Sequence, residues 1–128
     1  MGLLSKLFAS KPPIAPTHVE TGDEFARMVT LSEFPVIVNV WSPSCPPCRR
    51  LAPELVATAT RFQDRVRVVE IGVTAEPALL RRLGVRATPT TMVFEGGDEL
   101  ARFTGYRSRN WFAEMIEAEF PVGERASA

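Results

Sequence analysis

Apolar positions along the chain alternate between a strand-like and a helix-like period. Pro35 to Trp41 (PVIVNVW) is a nearly unbroken β-branched and aromatic run bounded by prolines, the pattern of a strand buried on both faces. Val66 to Val73 (VRVVEIGV) repeats that signal. Between them Leu51, Leu55, Ala59 and Phe62 recur at helical spacing, so the segment predicts a strand–helix–strand unit with parallel strands. Pro53 falls inside that helix and cannot donate to the carbonyl of Arg49, which predicts a kink.

Upstream, His18-Val19-Glu20 predicts a short strand. Thr21 and Glu24 form a capping-box signature for a helix whose Phe25, Met28 and Val29 share one apolar face. Downstream, Glu76-Pro77 opens a short helix with Leu79, Leu80 and Leu83 inward and Gly84 as its stop. Thr90–Phe94 and Leu100–Thr104 predict strands joined through Glu95-Gly96-Gly97-Asp98. Ser108 caps a last helix with Trp111, Phe112, Met115, Ile116 and Phe120 in one stripe. The order β-α-β-α-β-α-β-β-α predicts an α/β fold: a mixed central sheet with helices on both faces.

The 128 residues suit one compact domain, here 17–120, with an N-terminal tail and linker (1–16) and a C-terminal tail (121–128). Fifteen basic residues balance fifteen acidic ones, which removes the electrostatic footprint of a dedicated nucleic-acid binder. No apolar run reaches 18 residues, so no helical membrane span is predicted. Lys6 and Lys11 precede the first acidic residue, Glu20, and allow the tail a weak contact with an anionic membrane surface. Lys11 to Pro16 (KPPIAP) reads as a stiff extended linker. No export signal is read in the first residues, so the expectation is a cytoplasmic protein; a monomer is expected as well. In that compartment a persistent structural disulfide is unusual.

The chemistry sits in Cys45-Pro46-Pro47-Cys48, just after the buried strand and at the start of the long helix. Sites in open α/β sheets collect at the carboxyl ends of strands. Residues three apart on a helical turn have Cβ atoms ~5–6 Å apart, close to what a disulfide needs. The amino terminus of a helix offers free amides and positive dipole that stabilise a thiolate at Cys45, and Arg49 and Arg50 add positive charge. Pro46 and Pro47 fit the first turn but remove two donors to sulfur, leaving the amides of Cys48 and Arg49. The alternatives are inert core thiols or a metal site. Zinc would need two further ligands, while the only histidine, His18, is remote in the chain, so no metal site is assigned.

With the strand ending in Trp41, the CxxC, Pro53, the stretch Gly84-Val85-Arg86-Ala87-Thr88-Pro89-Thr90, and Phe94, Gly97 and Gly105 in order, the sequence closely resembles the thioredoxin family over roughly residues 17–120. The resemblance implies the thioredoxin fold and thiol–disulfide exchange with no bound cofactor beyond the redox disulfide itself. It implies Cys45 as attacking thiol, Cys48 as resolving thiol and Pro89 as a cis-proline facing the sulfurs. Thr88 would offer backbone hydrogen bonds to an extended substrate, with Trp41 and Gly105 lining the same groove. Its partners would be protein disulfides and an NADPH-dependent thioredoxin reductase as electron donor.

The departures concern tuning. Pro46 and Pro47 replace the usual dipeptide, and Ser44 stands where the family has Trp. Asn39 occupies the place of a usually buried Asp, and an amide cannot take a proton. Glu70 stands where the family commonly has Lys. One expectation is that the carboxylate has changed strands, with Glu70 accepting the proton of Cys48 through water; the other is exchange on bulk base. The leading functional expectation is a disulfide reductase. An oxidase or isomerase on the same fold, and a redox-inactive module that binds a partner in the cis-proline groove, stay open at this point. His18 in its edge-like strand and Tyr106 beside Gly105 receive no role.

Overall fold

The computed structural model describes residues 11–122. The readings for the first ten residues, membrane contact included, and for the tail beyond Val122 lie outside the described residues. Five strands, β1 (Thr17–His18), β2 (Val36–Trp41), β3 (Arg67–Gly72), β4 (Thr90–Glu95) and β5 (Asp98–Thr104), form one sheet in the order β1-β3-β2-β4-β5. β1 and β2 both pair with β3 in parallel, whereas β4 runs antiparallel to β2 and to β5. The sheet is mixed, as expected. Four helices flank it: α1 (Gly22–Phe25, continuing as a π-helical turn over Ala26–Thr30), α2 (Pro46–Arg61), α3 (Pro77–Leu83) and α4 (Arg109–Glu119).

Period-two alternation along the central strands builds two cores. Val36, Val38, Val40, Val69, Ile71, Met92 and Phe94 pack against Phe25 and Val29 of α1 and Leu79 and Leu83 of α3. Ile37, Val68 and Val93 turn the other way, against Leu51 and Leu55 of α2 and Phe112 and Ile116 of α4. The same alternation sends Asn39 and Glu70, each two residues beyond a member of the second set, toward α2. They are also register partners across β2 and β3.

Local signals explain the helix starts. Thr21 Oγ1 accepts from the Glu24 amide at 3.1 Å, and the Glu24 carboxylate accepts in return from the Glu20 amide and the Thr21 hydroxyl. That backbone hydrogen bond from Glu20 above all holds the Glu24 carboxyl below its ordinary range. Ser108 caps α4 by accepting from the Trp111 amide at 3.2 Å. α2 runs through Pro53 as one continuous helix.

Four details differ from the sequence pattern. Met28, expected inward, is 44 % exposed, while Phe25 and Val29 are buried. The Leu31 amide bonds to Ala26 O, five residues back, and this wider turn keeps residues four apart on one face while rotating the residue three apart away from it. Trp111, also expected in the core, lies at its rim because Phe112 fills the inner position and Phe103 of β5 flanks it, their ring centres 5.4 and 4.8 Å from the indole. The β4–β5 hairpin is tighter than predicted. Gly96 and Gly97 both have positive φ and make a two-residue turn, so both strands extend to the glycines. Finally, Lys11–Pro16, read from the sequence only as a stiff extended linker, is docked: Ile14 N donates to Thr60 Oγ1 at 2.9 Å and Lys11 Nζ to Arg61 O at 3.1 Å, which straps the segment along α2.

Candidate active site

β2 delivers the chain at Trp41 to the sheet's carboxyl edge, Ser42–Ser44 turn it, and Cys45 becomes the N-cap of α2. Pro46 and Pro47 occupy the first helical positions, where a missing amide proton costs nothing. This start brings the Cα atoms of Cys45 and Cys48 to 5.2 Å, and the two are joined in a disulfide. The Cys48 amide points at Cys45 Sγ from 3.2 Å. Of the two amides left after the prolines, only this one reaches sulfur, since the Arg49 amide bonds to Cys45 O instead. A donor and a helix amino terminus aimed at one sulfur favour negative charge there. The Arg49 guanidinium ties back to Pro43 O at 3.2 Å, and the Arg50 guanidinium lies 6.0 Å from the centre of the Tyr106 ring.

On the outer side of the disulfide, Cys45 Sγ lies 3.4 Å from Thr88 O. The Thr88–Pro89 bond is cis, as the resemblance implied. The Gly105 amide donates to Pro89 O at 3.0 Å from a backbone with φ +90°, a conformation that favours glycine at the head of the β5–α4 connection. Thr90 Oγ1 holds the turn below by donating to Ala87 O at 2.6 Å.

On the inner side, a pocket of about 410 Å³ opens behind Cys48. Asn39, Trp41, Cys48, Arg49 and Glu70 line it, and Pro16 of the docked strap closes one flank. Among the described residues, Asn39 Oδ1 and Trp41 Nε1 are buried there without a hydrogen-bonding partner. The Trp41 ring lies over its register partner Gly72.

The structure therefore divides the residues named from the sequence between two surfaces. Thr88, Pro89 and Gly105 gather on the Cys45 side, whereas Trp41, Asn39 and Glu70 gather behind Cys48. His18 was passed over, yet it is the register partner of Glu70. A signal existed only in the strand pairing, which spacing along the chain does not contain. Away from the disulfide, Glu54 of α2 accepts from the Arg109 amide at 2.8 Å and pairs with its guanidinium at 2.9 Å. Those contacts with Arg109 hold the Glu54 carboxyl below its ordinary range and pin α4 to α2. Among the described residues no group of three or more His, Cys, Asp or Glu is arranged to hold a metal ion.

Residues 16–118 match the thioredoxin family model. Thioredoxin 1 of Nostoc sp. is 30 % identical over 97 residues, covering 76 % of this chain and 91 % of the relative. The thioredoxin of Haemophilus influenzae is 30 % identical over 99 residues, with 77 % and 92 % covered. Among solved structures, the thioredoxin of Malassezia sympodialis superimposes with a TM-score of 0.73 over 87 % of this chain and 96 % of its own, at 19 % identity.

Proposed function

The chain belongs to the thioredoxin family and is a protein-disulfide reductase working through Cys45 and Cys48; from that premise we propose how the two sulfurs divide the work and what serves them. Cys45 is the attacking thiol. Its thiolate attacks one sulfur of a substrate disulfide, that bond breaks, and the displaced thiolate leaves with a proton from solvent. Cys48 then attacks Cys45 Sγ, closing the intramolecular disulfide and releasing the second substrate thiol. The observation that carries this assignment is the two-sidedness of the site: Cys45 Sγ borders the backbone of Thr88 on the outer surface, while Cys48 faces the inner pocket. An extended substrate strand docks on Thr88, Pro89 and Gly105. Trp41, expected in this groove by the resemblance, also lines the inner pocket. Pro46 and Pro47 set which amides reach the sulfur.

Electrons come from an NADPH-dependent thioredoxin reductase, and the protein acts as a monomer in a reducing compartment, the cytoplasm. The reductive direction supports that location, because turnover needs a surrounding pool able to keep the dithiol reduced. The test is trapping. Cys48→Ser accumulates a covalent adduct with a disulfide-containing protein substrate, detected as a mass increase that dithiothreitol removes, and Cys45→Ser accumulates none. Equal trapping by both variants would overturn the division of labour. Failure to consume NADPH with any of several thioredoxin reductases would overturn the proposed electron source.

A further inference from the structure

Three side chains on three adjacent strands stand at one level of the sheet: His18 on β1, Glu70 on β3 and Asn39 on β2. Glu70 and Asn39 face the pocket that Cys48 also lines. At the other end of the row, His18 Nδ1 lies 3.8 Å from Glu70 Oε1 and His18 Nε2 lies 2.9 Å from Glu20 Oε1. Burial falls along the row. Asn39 is 4 % exposed, the Glu70 side chain 34 %, the His18 side chain 46 % and the Glu20 side chain 65 %. The row thus leads from the pocket that Cys48 lines out to solvent, and its members beyond Asn39 are groups that can exchange protons.

We propose that this row is the proton path of the resolving step: Glu70 takes the proton of Cys48 through water held in the pocket, and His18 with Glu20 carries it on to solvent. The proposal deepens the disulfide-exchange assignment above and rests on it. Asn39 has no proton to exchange but offers a buried oxygen, and Trp41 Nε1 offers a buried donor. Together with the Glu70 carboxylate they supply the two to four polar partners that a held water requires. The pocket volume is many times the roughly 30 Å³ that one water occupies. The step balances. The Cys48 proton passes by water to a Glu70 oxygen, and the thiolate so formed attacks Cys45 Sγ. The bond from Cys45 to the substrate sulfur breaks, and the substrate leaves as a thiolate that is protonated from solvent. The enzyme dithiol has then been oxidised by two electrons and the substrate disulfide reduced by two. Among the described residues, the charged and titratable groups set against Glu70 are His18 of β1 and, across the pocket, Cys48 and Arg49 of α2, with Glu20 beyond His18. Arg49 is engaged with Pro43 O and stands as the positive charge of the pocket wall.

The experiment is stopped-flow reaction of the reduced full chain with dithionitrobenzoate from about pH 6 to about pH 9. The first coloured thiolate reports attack by Cys45, and the second reports resolution by Cys48. Proton transfer by a positioned side chain contributes about 100-fold at the low end of its usual range. Glu70→Gln is therefore expected to slow the second phase by about that factor near neutral pH, leave the first unchanged, and recover as hydroxide replaces the carboxylate at high pH. Asn39→Asp added to Glu70→Gln, which returns a carboxylate to the same pocket, restores most of the second phase. His18→Gln slows it less than Glu70→Gln does. An unchanged second phase in Glu70→Gln, equal slowing of both phases, or no recovery in the double variant overturns the path. A wild-type protein that releases only one coloured thiolate per chain overturns the exchange assignment itself, so the two failures are distinguishable.

Discussion

Asn39→Asp tests whether the pocket behind Cys48 has the electrostatics its geometry implies. Asn39 is 4 % exposed, and the substitution keeps its shape while adding a titratable group. Burial at such a site raises a carboxyl's folded pKa by roughly 2 units, which is about 2.7 kcal/mol against folding at a pH where the unfolded chain is ionised. Glu70 adds a second cost. Neighbouring strands lie about 4.8 Å apart, and two carboxylates at roughly 5 Å repel by about 3 kcal/mol at an effective dielectric near 20. Because the Glu70 side chain is 34 % exposed, solvent and salt reduce that repulsion to about 1–2 kcal/mol. The sign follows from linkage. A carboxyl with a raised folded pKa imposes no penalty while it is protonated in both states, and the penalty grows as pH rises past the unfolded value near 3.9. Urea denaturation of the wild type, Asn39→Asp, Glu70→Gln and the double variant at about pH 3.5 and about pH 8 measures each term. The expected loss for Asn39→Asp is about 4 kcal/mol at the higher pH and little at the lower, with about 1–2 kcal/mol returned by Glu70→Gln. A pH-independent loss would assign the effect to packing. Additivity within about 0.3 kcal/mol at the higher pH would separate the two positions and refute the shared pocket.

Phe112 is fully buried and its ring meets those of Phe103 and Trp111, so Phe112→Ala is expected to cost about 3–5 kcal/mol in denaturant melts. A loss under about 1 kcal/mol would mean that the α4 face closes over the cavity without cost. Glu54 carries a lowered folded pKa through its contacts with Arg109, so its stabilisation is present above the ordinary carboxylate range and is lost as pH falls through the folded value. Glu54→Gln is accordingly expected to be less stable than wild type at neutral pH and to converge with it in acid; a constant difference across that window would contradict the ion pair.

Period and punctuation carried most of the fold. The nearly unbroken apolar run from Val36 to Val40 marked a strand covered on both faces, and the structure gives it two cores whose members alternate along the chain. Caps at Thr21 and Ser108 were legible because capping is a local transaction between residues three apart. Met28 was not legible, because the period it obeys belongs to a π turn and nothing in the spacing of Phe25, Met28 and Val29 separates that turn from an α-helix. Trp111 was misplaced for a different reason: the stripe on α4 offers more aromatic volume than its site holds, and Phe103 from another element decides which ring stays inside.

The same limit governs the site. Both sulfurs and the helix amino terminus that serves them are close in sequence, so their chemistry could be read from spacing. The surroundings of Cys48 come from three strands whose lateral order, β1-β3-β2, no local pattern encodes. Along the chain, Asn39 reads as a lost carboxylate and Glu70 as a candidate replacement for it only through the family resemblance, while His18 reads as a solitary histidine. Set in register, they form one row with the acid one strand over from the amide and the histidine beside the acid. A buried amide next to a half-buried carboxylate also avoids the repulsion that two carboxylates would impose at that spacing. The amide at Asn39 and the carboxylate at Glu70 are therefore best understood as one paired feature, and the energetic coupling between them is the quantity that measures it.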